Sequence, residues 1–137
     1  MPKAIRMTRT GGPEVMEYVD VEVGAPGPGE VTVRNHAIGL NFIDVYFRTG
    51  LYPHPLPAGL GMEGAGVVEA VGEGVTDIAP GDRVVYAARP NGAYAQLRNM
   101  PAAILVRLPE AMSFELGAAM FLQGLTVQYL FKGVTQL

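Results

Sequence analysis

The sequence predicts a mainly β protein: a closed or nearly closed barrel of short strands, with short helices and a C-terminal helical segment after residue 110. Three observations point there. Eighteen glycines and eleven prolines are scattered between short apolar runs rather than gathered in one tract, which is the punctuation of many turns. Several of those runs alternate with a period of two, as strands with one buried face do. From residue 111 the alternation gives way to a long apolar stretch, AMSFELGAAMFLQGLTVQYLF, of the kind that forms buried helices.

The elements follow in order. Residues 3–9 alternate weakly and read as a first strand, closed by the turn Gly11-Gly12-Pro13. Residues 15–23 alternate through Val15, Tyr18, Val19, Val21 and Val23, a strand with a slip or bulge. The segment 24–30 is too rich in Gly and Pro for regular structure. A strand over 31–40 places Val31, Val33, Asn35 and Ala37 on one face. The period then changes, and a short helix opens at Asn41, a good N-cap, and ends at Gly50. Residues 51–61 form a rigid proline loop. Strands are expected at 63–71 and 83–88, and the turn Asn91-Gly92 leads into another at 93–97. A last strand covers 103–108 and stops at Pro109. Ser113 caps a helix with Glu115 in its first turn, and Gln123-Gly124 is expected to break it from a second helix running to about Phe131. Two regions result, a barrel over 1–110 and a helical segment over 111–137.

Composition excludes several classes of function. At 137 residues the chain can bury a real core, and 49% hydrophobic with 17% charged residues is too apolar for disorder. The net charge is −3 and the arginines are scattered singly, so nucleic acid is not an expected partner. No cysteine is present, which rules out disulfides and thiolate-held metals. The first residues lack a signal-peptide run, so a cytoplasmic location is expected. The apolar stretch 111–131 approaches spanning length, but Glu115, Gln123, Gln128 and two glycines make a membrane helix the weaker reading.

Glycines at 59, 61, 64 and 66 invite a phosphate-loop reading. They precede a strand, whereas a dinucleotide fingerprint needs them after a strand and at a helix start. Close backbone packing explains them better.

The run AIGLNFIDVYFRTGLYPHPLPAGLGMEGAGVVEAVGEGV, with GDRVVYA, GAYAQ and FLQGLTVQYL after it, resembles the catalytic-domain signature of the medium-chain dehydrogenase/reductases. The branch it is most similar to is the zinc-independent NADPH:quinone oxidoreductases related to zeta-crystallin. The resemblance implies a GroES-like barrel over 1–110 and a helical segment leading into a Rossmann domain, with the chain later returning to complete the catalytic domain. Leu137 falls where the first Rossmann strand would follow, so independent catalysis is not expected of these residues alone.

Zinc-dependent relatives place Cys and His where this chain has Asn41 and Met62, in GLNFID and GMEG. Neither substitute is a plausible zinc ligand, so no metal is expected. Side-chain donors would then have to polarise a substrate carbonyl. The resemblance implies that Asn41, Tyr46 and Tyr52 line the cleft where nicotinamide meets quinone, with Asp44 one helical turn from Asn41. Each has an ordinary alternative: helix cap, core tyrosine, loop anchor. The resemblance also brings Thr126 toward the nicotinamide, against the alternative of a buried helical threonine bonding back to a carbonyl. Asn41, Tyr46 and Thr126 are thus the expected cofactor contacts. Glu63, alone in an apolar stretch, reads as a buried carboxylate paired with an arginine rather than a catalytic base.

Two functions remain. One is the substrate-side catalytic domain of an NADPH-dependent quinone oxidoreductase. The other is a non-catalytic GroES-like domain that folds and self-associates through its C-terminal helices, whose apolar residues are too many for one face.

Overall fold

The computed structural model describes residues 1–134. It consists of two antiparallel sheets and two main helices. Strands β1 (Lys3–Met7), β2 (Glu17–Asp20) and β4 (Ala58–Gly59) form one sheet in the order β2-β1-β4. Strands β3 (Glu30–Gly39), β5 (Glu63–Val71), β6 (Arg83–Ala87), β7 (Leu97–Pro101) and β8 (Val106–Arg107) form the other, in the order β7-β3-β5-β6-β8. An Ala4–Ala95 bridge and the bonds from Ile5 N–H to Tyr94 O (2.7 Å) and Gln96 N–H to Lys3 O (2.9 Å) join the two sheets. This is the nearly closed barrel that the turn density and alternation imply.

The expected core face of β3 is present. Val31 and Val33 are fully buried with Val68, Val84, Tyr86, Ala93 and Met100. The face does not run cleanly to Ala37, because bulges between Thr32 and Val33 and between Asn35 and Ala37 shift the register against β5. A bulge adds one residue to one strand, so strict alternation cannot survive it. Gly66 is where β3 and β5 come closest. A Cβ there would collide with the Arg34 carbonyl, so the glycine serves backbone packing.

Four element assignments are corrected. Only 17–20 of the expected strand 15–23 pairs, and Pro13–Val15 makes a 3₁₀ turn that buries Val15. The strand after Asn91-Gly92 is β7, starting at Leu97; before it, 93–96 is an irregular stitch to β1 and to Leu60. The expected last strand is a 3₁₀ turn, Ala102–Ile104, and the two residues of β8. The break at Gln123-Gly124 is absent: α2 runs unbroken from Phe114 to Gln128 and continues as a π-helical segment, Tyr129–Val134. A helix tolerates one glycine at about 1 kcal/mol, which the packing of α2 on the barrel outweighs.

Ser113 does cap α2, its Oγ accepting the Leu116 N–H at 3.1 Å. Gly117 and Ala118 carry the docking face, against Leu108, Ala65 and Val85. Phe121 still packs on this cluster and the Leu122 N–H bonds Glu63; beyond them the helix is open. Met120, Leu125, Val127 and Tyr129 are all exposed, as is the π-helical segment that follows. Among the described residues, no helix is long and apolar enough to cross a membrane. The segment 135–137, the end of the expected helical region, lies outside the described residues.

Candidate functional site

The site is built around the start of α1 (Phe42–Thr49). Its sequence explains its position. Asn41 is extended at the N-cap, Asp44 sits in the first turn where the helix dipole favours a carboxylate, and Gly50 ends the helix in the left-handed conformation (φ 85°). Phe47 anchors the underside among Met7, Val15, Ala58 and Leu60. That fixes Asn41 and Asp44 at the barrel surface, facing β5, Tyr94 and α2.

A chain of hydrogen bonds runs through them. Asp44 Oδ2 accepts the Asn41 backbone N–H (3.1 Å) and the Tyr94 hydroxyl (2.7 Å). Asn41 Nδ2 donates to Glu63 Oε2 (2.6 Å), and Asn41 Oδ1 accepts from Gln123 Nε2 (3.3 Å). Glu63 Oε1 accepts the backbone N–H of Leu122, in mid α2 (2.7 Å). Glu63 is 1% exposed. The expected arginine partner for Glu63 is therefore corrected: an amide and a helix N–H compensate the carboxylate, and charge-assisted bonds of this kind are the strong ones.

Asp44 is 4% exposed, and its Oδ1 is buried without a partner. Burial raises its pKa above the ordinary carboxylate value, against the opposing pull of the Tyr94 and Asn41 bonds. Tyr94 is pushed far up, first by burial and then by the carboxylate it faces, so its hydroxyl stays protonated and donates. A cleft of about 370 Å³ opens beside this pair, lined by Met16, Leu40, Asn41, Asp44, Arg48 and Tyr94 among others.

The structure divides the expected site residues into groups. Asn41 and Asp44 stand together in the cleft wall. Tyr46 and Tyr52 form a separate aromatic group: the Tyr46 ring meets Tyr52 edge-on at 5.3 Å and Phe42 at 5.4 Å, and Tyr52 N–H donates to Tyr46 O (3.1 Å). Phe42 also lines the cleft, so it links the two groups. Tyr46 is half-buried and Tyr52 is 42% exposed. Thr126 is exposed rather than buried, and its hydroxyl bonds back to Leu122 O (3.0 Å). Met62 packs with the apolar cluster beneath α1. Among the described residues, no three His, Cys, Asp or Glu side chains cluster as a metal site.

Sequence reasoning missed Tyr94 and Gln123. Neither is close to Asn41 in sequence. Tyr94 arrives because its N–H pairs with Leu60 O (2.9 Å) and its carbonyl with Ile5, a register that local periodicity does not reveal. Gln123-Gly124 reads locally as a helix break, and only an unbroken α2 brings Gln123 to Asn41.

Residues 27–110 match the family model for the alcohol dehydrogenase GroES-like domain. The chain is 56% identical over 138 residues to a quinone oxidoreductase of Pseudomonas aeruginosa, covering all of this chain and 42% of that protein. The solved structure of the Pseudomonas syringae quinone oxidoreductase superposes with a TM-score of 0.97 at 59% identity, over all of this chain and 42% of that one. The Escherichia coli quinone oxidoreductase, solved in complex with NADPH, superposes with a TM-score of 0.92 at 51% identity, over 95% of this chain and 40% of that one. The chain thus spans about two-fifths of the length of the relatives it matches.

The raised pKa of Asp44 fixes the sign of a pH effect. Between its ordinary value and its higher folded value, the native state holds more protons than the unfolded one, so stability falls as pH rises through that window. Asp44→Asn keeps an oxygen for Tyr94 and Asn41 and removes the charge. Its urea midpoint, set against wild type, is expected to improve as pH rises from about 4 through that window and to level off above it. A difference that does not change with pH would show that Asp44 ionises freely in the fold.

Proposed function

Because the chain belongs to the alcohol dehydrogenase GroES-like domain family, we propose that it is the substrate-side catalytic domain of an NADPH-dependent quinone oxidoreductase. The barrel over 1–110 carries the reacting face, and the segment after residue 110 leads toward the nucleotide-binding half. Cytoplasmic placement accompanies this reading, and neither membrane nor nucleic acid takes part in it.

The observation that carries the proposal is the juxtaposition at the start of α1 of an amide donor, Asn41, with an aromatic group of Phe42, Tyr52 and the half-buried Tyr46. A planar, apolar ring with carbonyl oxygens needs such a surface: aromatic faces for the ring and a few donors for the oxygens. Asn41 Nδ2 carries two hydrogens, and Glu63 engages it on one side. Glu63 thereby orients the amide so that the other hydrogen can meet a quinone oxygen. The Tyr46 and Tyr52 hydroxyls supply further donors at the rim. Phe42 and Leu40, both strongly exposed, would exclude water once covered. NADP(H), held mainly by the other half of the enzyme, supplies the reducing equivalents.

The residues present fit such a group on its nicotinamide side. Asn41 and Tyr46 offer polar atoms beside an apolar wall, and Thr126 stands exposed on α2. Asp44, which accepts the Tyr94 hydroxyl and the Asn41 backbone N–H, serves this reading by holding the start of α1 and with it the Asn41 amide. No step requires zinc: the positions that could supply ligands hold Asn41, engaged with Glu63, and Met62, engaged with the core.

The test uses the protein with its nucleotide-binding half. Tyr52→Phe removes one exposed hydroxyl and keeps the ring contacts. It is expected to lower kcat/KM by roughly tenfold or more with the melting temperature unchanged. Unchanged kinetics would remove Tyr52 from the site.

The second reading, a domain that self-associates, draws on the open face of α2. Met120 and Val127 on one side of the helix and Leu125 and Tyr129 on the other are left open to water, and exposed apolar side chains gathered on one element mark interaction sites. A homodimer of the 137-residue chain through this helix would cover them. Sedimentation equilibrium at tens of micromolar is expected to return a dimer, weakened by Met120→Glu or Leu125→Glu. A monomer throughout would reject this reading and leave the catalytic one untouched.

A further inference from the structure

On a different face of the barrel, Arg98 is buried from β7. It is 7% exposed. Its Nη2 donates to Pro90 O (2.8 Å), and its guanidinium lies 5.5 Å from the centre of the Tyr86 ring. Nη1 is buried without a partner. Both amide atoms of neighbouring Asn91 are in the same position. The ion pairs found among the described residues, Lys3–Asp20, Arg34–Glu69 and Arg107–Asp82, do not involve Arg98. An arginine cannot shed its proton, and Pro90 O and the Tyr86 ring compensate this guanidinium only in part, leaving Nη1 for an anionic partner.

Arg98 and Asn91 wall a pocket of about 280 Å³ together with Arg6, Asn99 and Glu22. Its backbone wall includes Gly59 and Gly92, which approach so closely that a Cβ on Gly59 would stand 3.0 Å from Gly92 Cα. Gly92 has a φ of 130°, and a Cβ on it would stand 3.7 Å from the Arg98 guanidinium carbon. Small residues thus leave room beside the buried cation. None of Asn41, Asp44, Tyr46, Tyr52 and Tyr94 lines this pocket, so it is separate from the cleft at α1.

We propose that this pocket is a binding site for a small oxyanion, a carboxylate or phosphate group with at most a short tail, held by Arg98 and Arg6 with the Asn91 amide. The chemistry follows from the donors. A guanidinium offers paired N–H groups that match two oxygens of such an anion. The Asn91 amide adds a neutral donor at the side, and Arg6 brings a second positive charge; the Asn99 amide is already engaged with Gly24 O and Ala25 O and only shapes the wall. The volume falls just under that of sites for drug-sized ligands, which excludes a dinucleotide. Glu22 is the one acid in the wall and opposes the anion, so it tunes affinity downward.

The experiment is an NMR titration of the 137-residue chain with sodium phosphate and, in a second arm, sodium acetate, each against sodium chloride at equal ionic strength. Saturable shifts at the Arg98 side chain, Gly92 and Asn99 are expected, and the stronger arm identifies the anion's source. Arg98→Met is expected to abolish them. Should that variant fail to fold, Arg6→Ala and Glu22→Gln decide, since both residues lie at the rim. The first is expected to weaken binding by about tenfold and the second to strengthen it. Shifts that match chloride, saturate elsewhere, or ignore both rim variants would overturn the proposal.

Discussion

Glu63 is the constraint on which the arrangement rests. Its carboxylate is buried from water, and burying a charge is costly unless donors compensate it. The donors here come from two different elements: Asn41 at the head of α1 and the Leu122 N–H inside α2. In a regular α-helix, the N–H of residue 122 serves the carbonyl of Ala118. Glu63 accepts it here, so one side chain of β5 ties both helices to the barrel. The neighbours are shaped around it. A Cβ on Gly39 would come within 2.5 Å of Ala118 O and 2.7 Å of the Glu63 carboxyl carbon, so β3 needs a glycine where it passes beneath α2.

The consequences reach the candidate site. Asn41 is not simply a helix cap; its amide is oriented from behind by Glu63 and braced by Gln123. Asp44 in turn is held by the Asn41 backbone and by Tyr94, whose position follows from its bond to Leu60. A network of five side chains, Tyr94, Asp44, Asn41, Glu63 and Gln123, therefore runs from the cleft wall to α2. The orientation of the Asn41 amide depends on this support, because loosely held donors lose most of their advantage. It also couples the site to α2, so whatever packs on the open face of that helix bears on the orientation of Asn41.

Much of this was legible in the sequence, and the limits have physical reasons. The strand-rich class, the helix between Asn41 and Gly50, the Ser113 cap and the core face at Val31 and Val33 all follow from local patterns, and each is present. The resemblance carried by the GLNFID and GLTVQYL strings identified the family where residue types alone left Asn41 and Tyr46 ambiguous. What failed was non-local. Bulges in β3, the short pairing of 17–20 and the stitch at 93–96 depend on partners far along the chain. The partner of Glu63 was misjudged because a backbone N–H carries no sequence signal, whereas arginines are visible. The unbroken α2 was missed for the opposite reason: Gly124 is visible as a breaker, while the contacts that override it are not.

Glu63→Gln, followed by amide hydrogen exchange and urea unfolding, tests the keystone role most directly. The substitution keeps size and shape but leaves one accepting oxygen where two donors converge. The account predicts faster exchange at Leu122 and a loss of roughly 1–3 kcal/mol. It also predicts that Asn41→Ala costs less in the Glu63→Gln background than in wild type. Unchanged exchange at Leu122, with additive effects of the two substitutions, would contradict it.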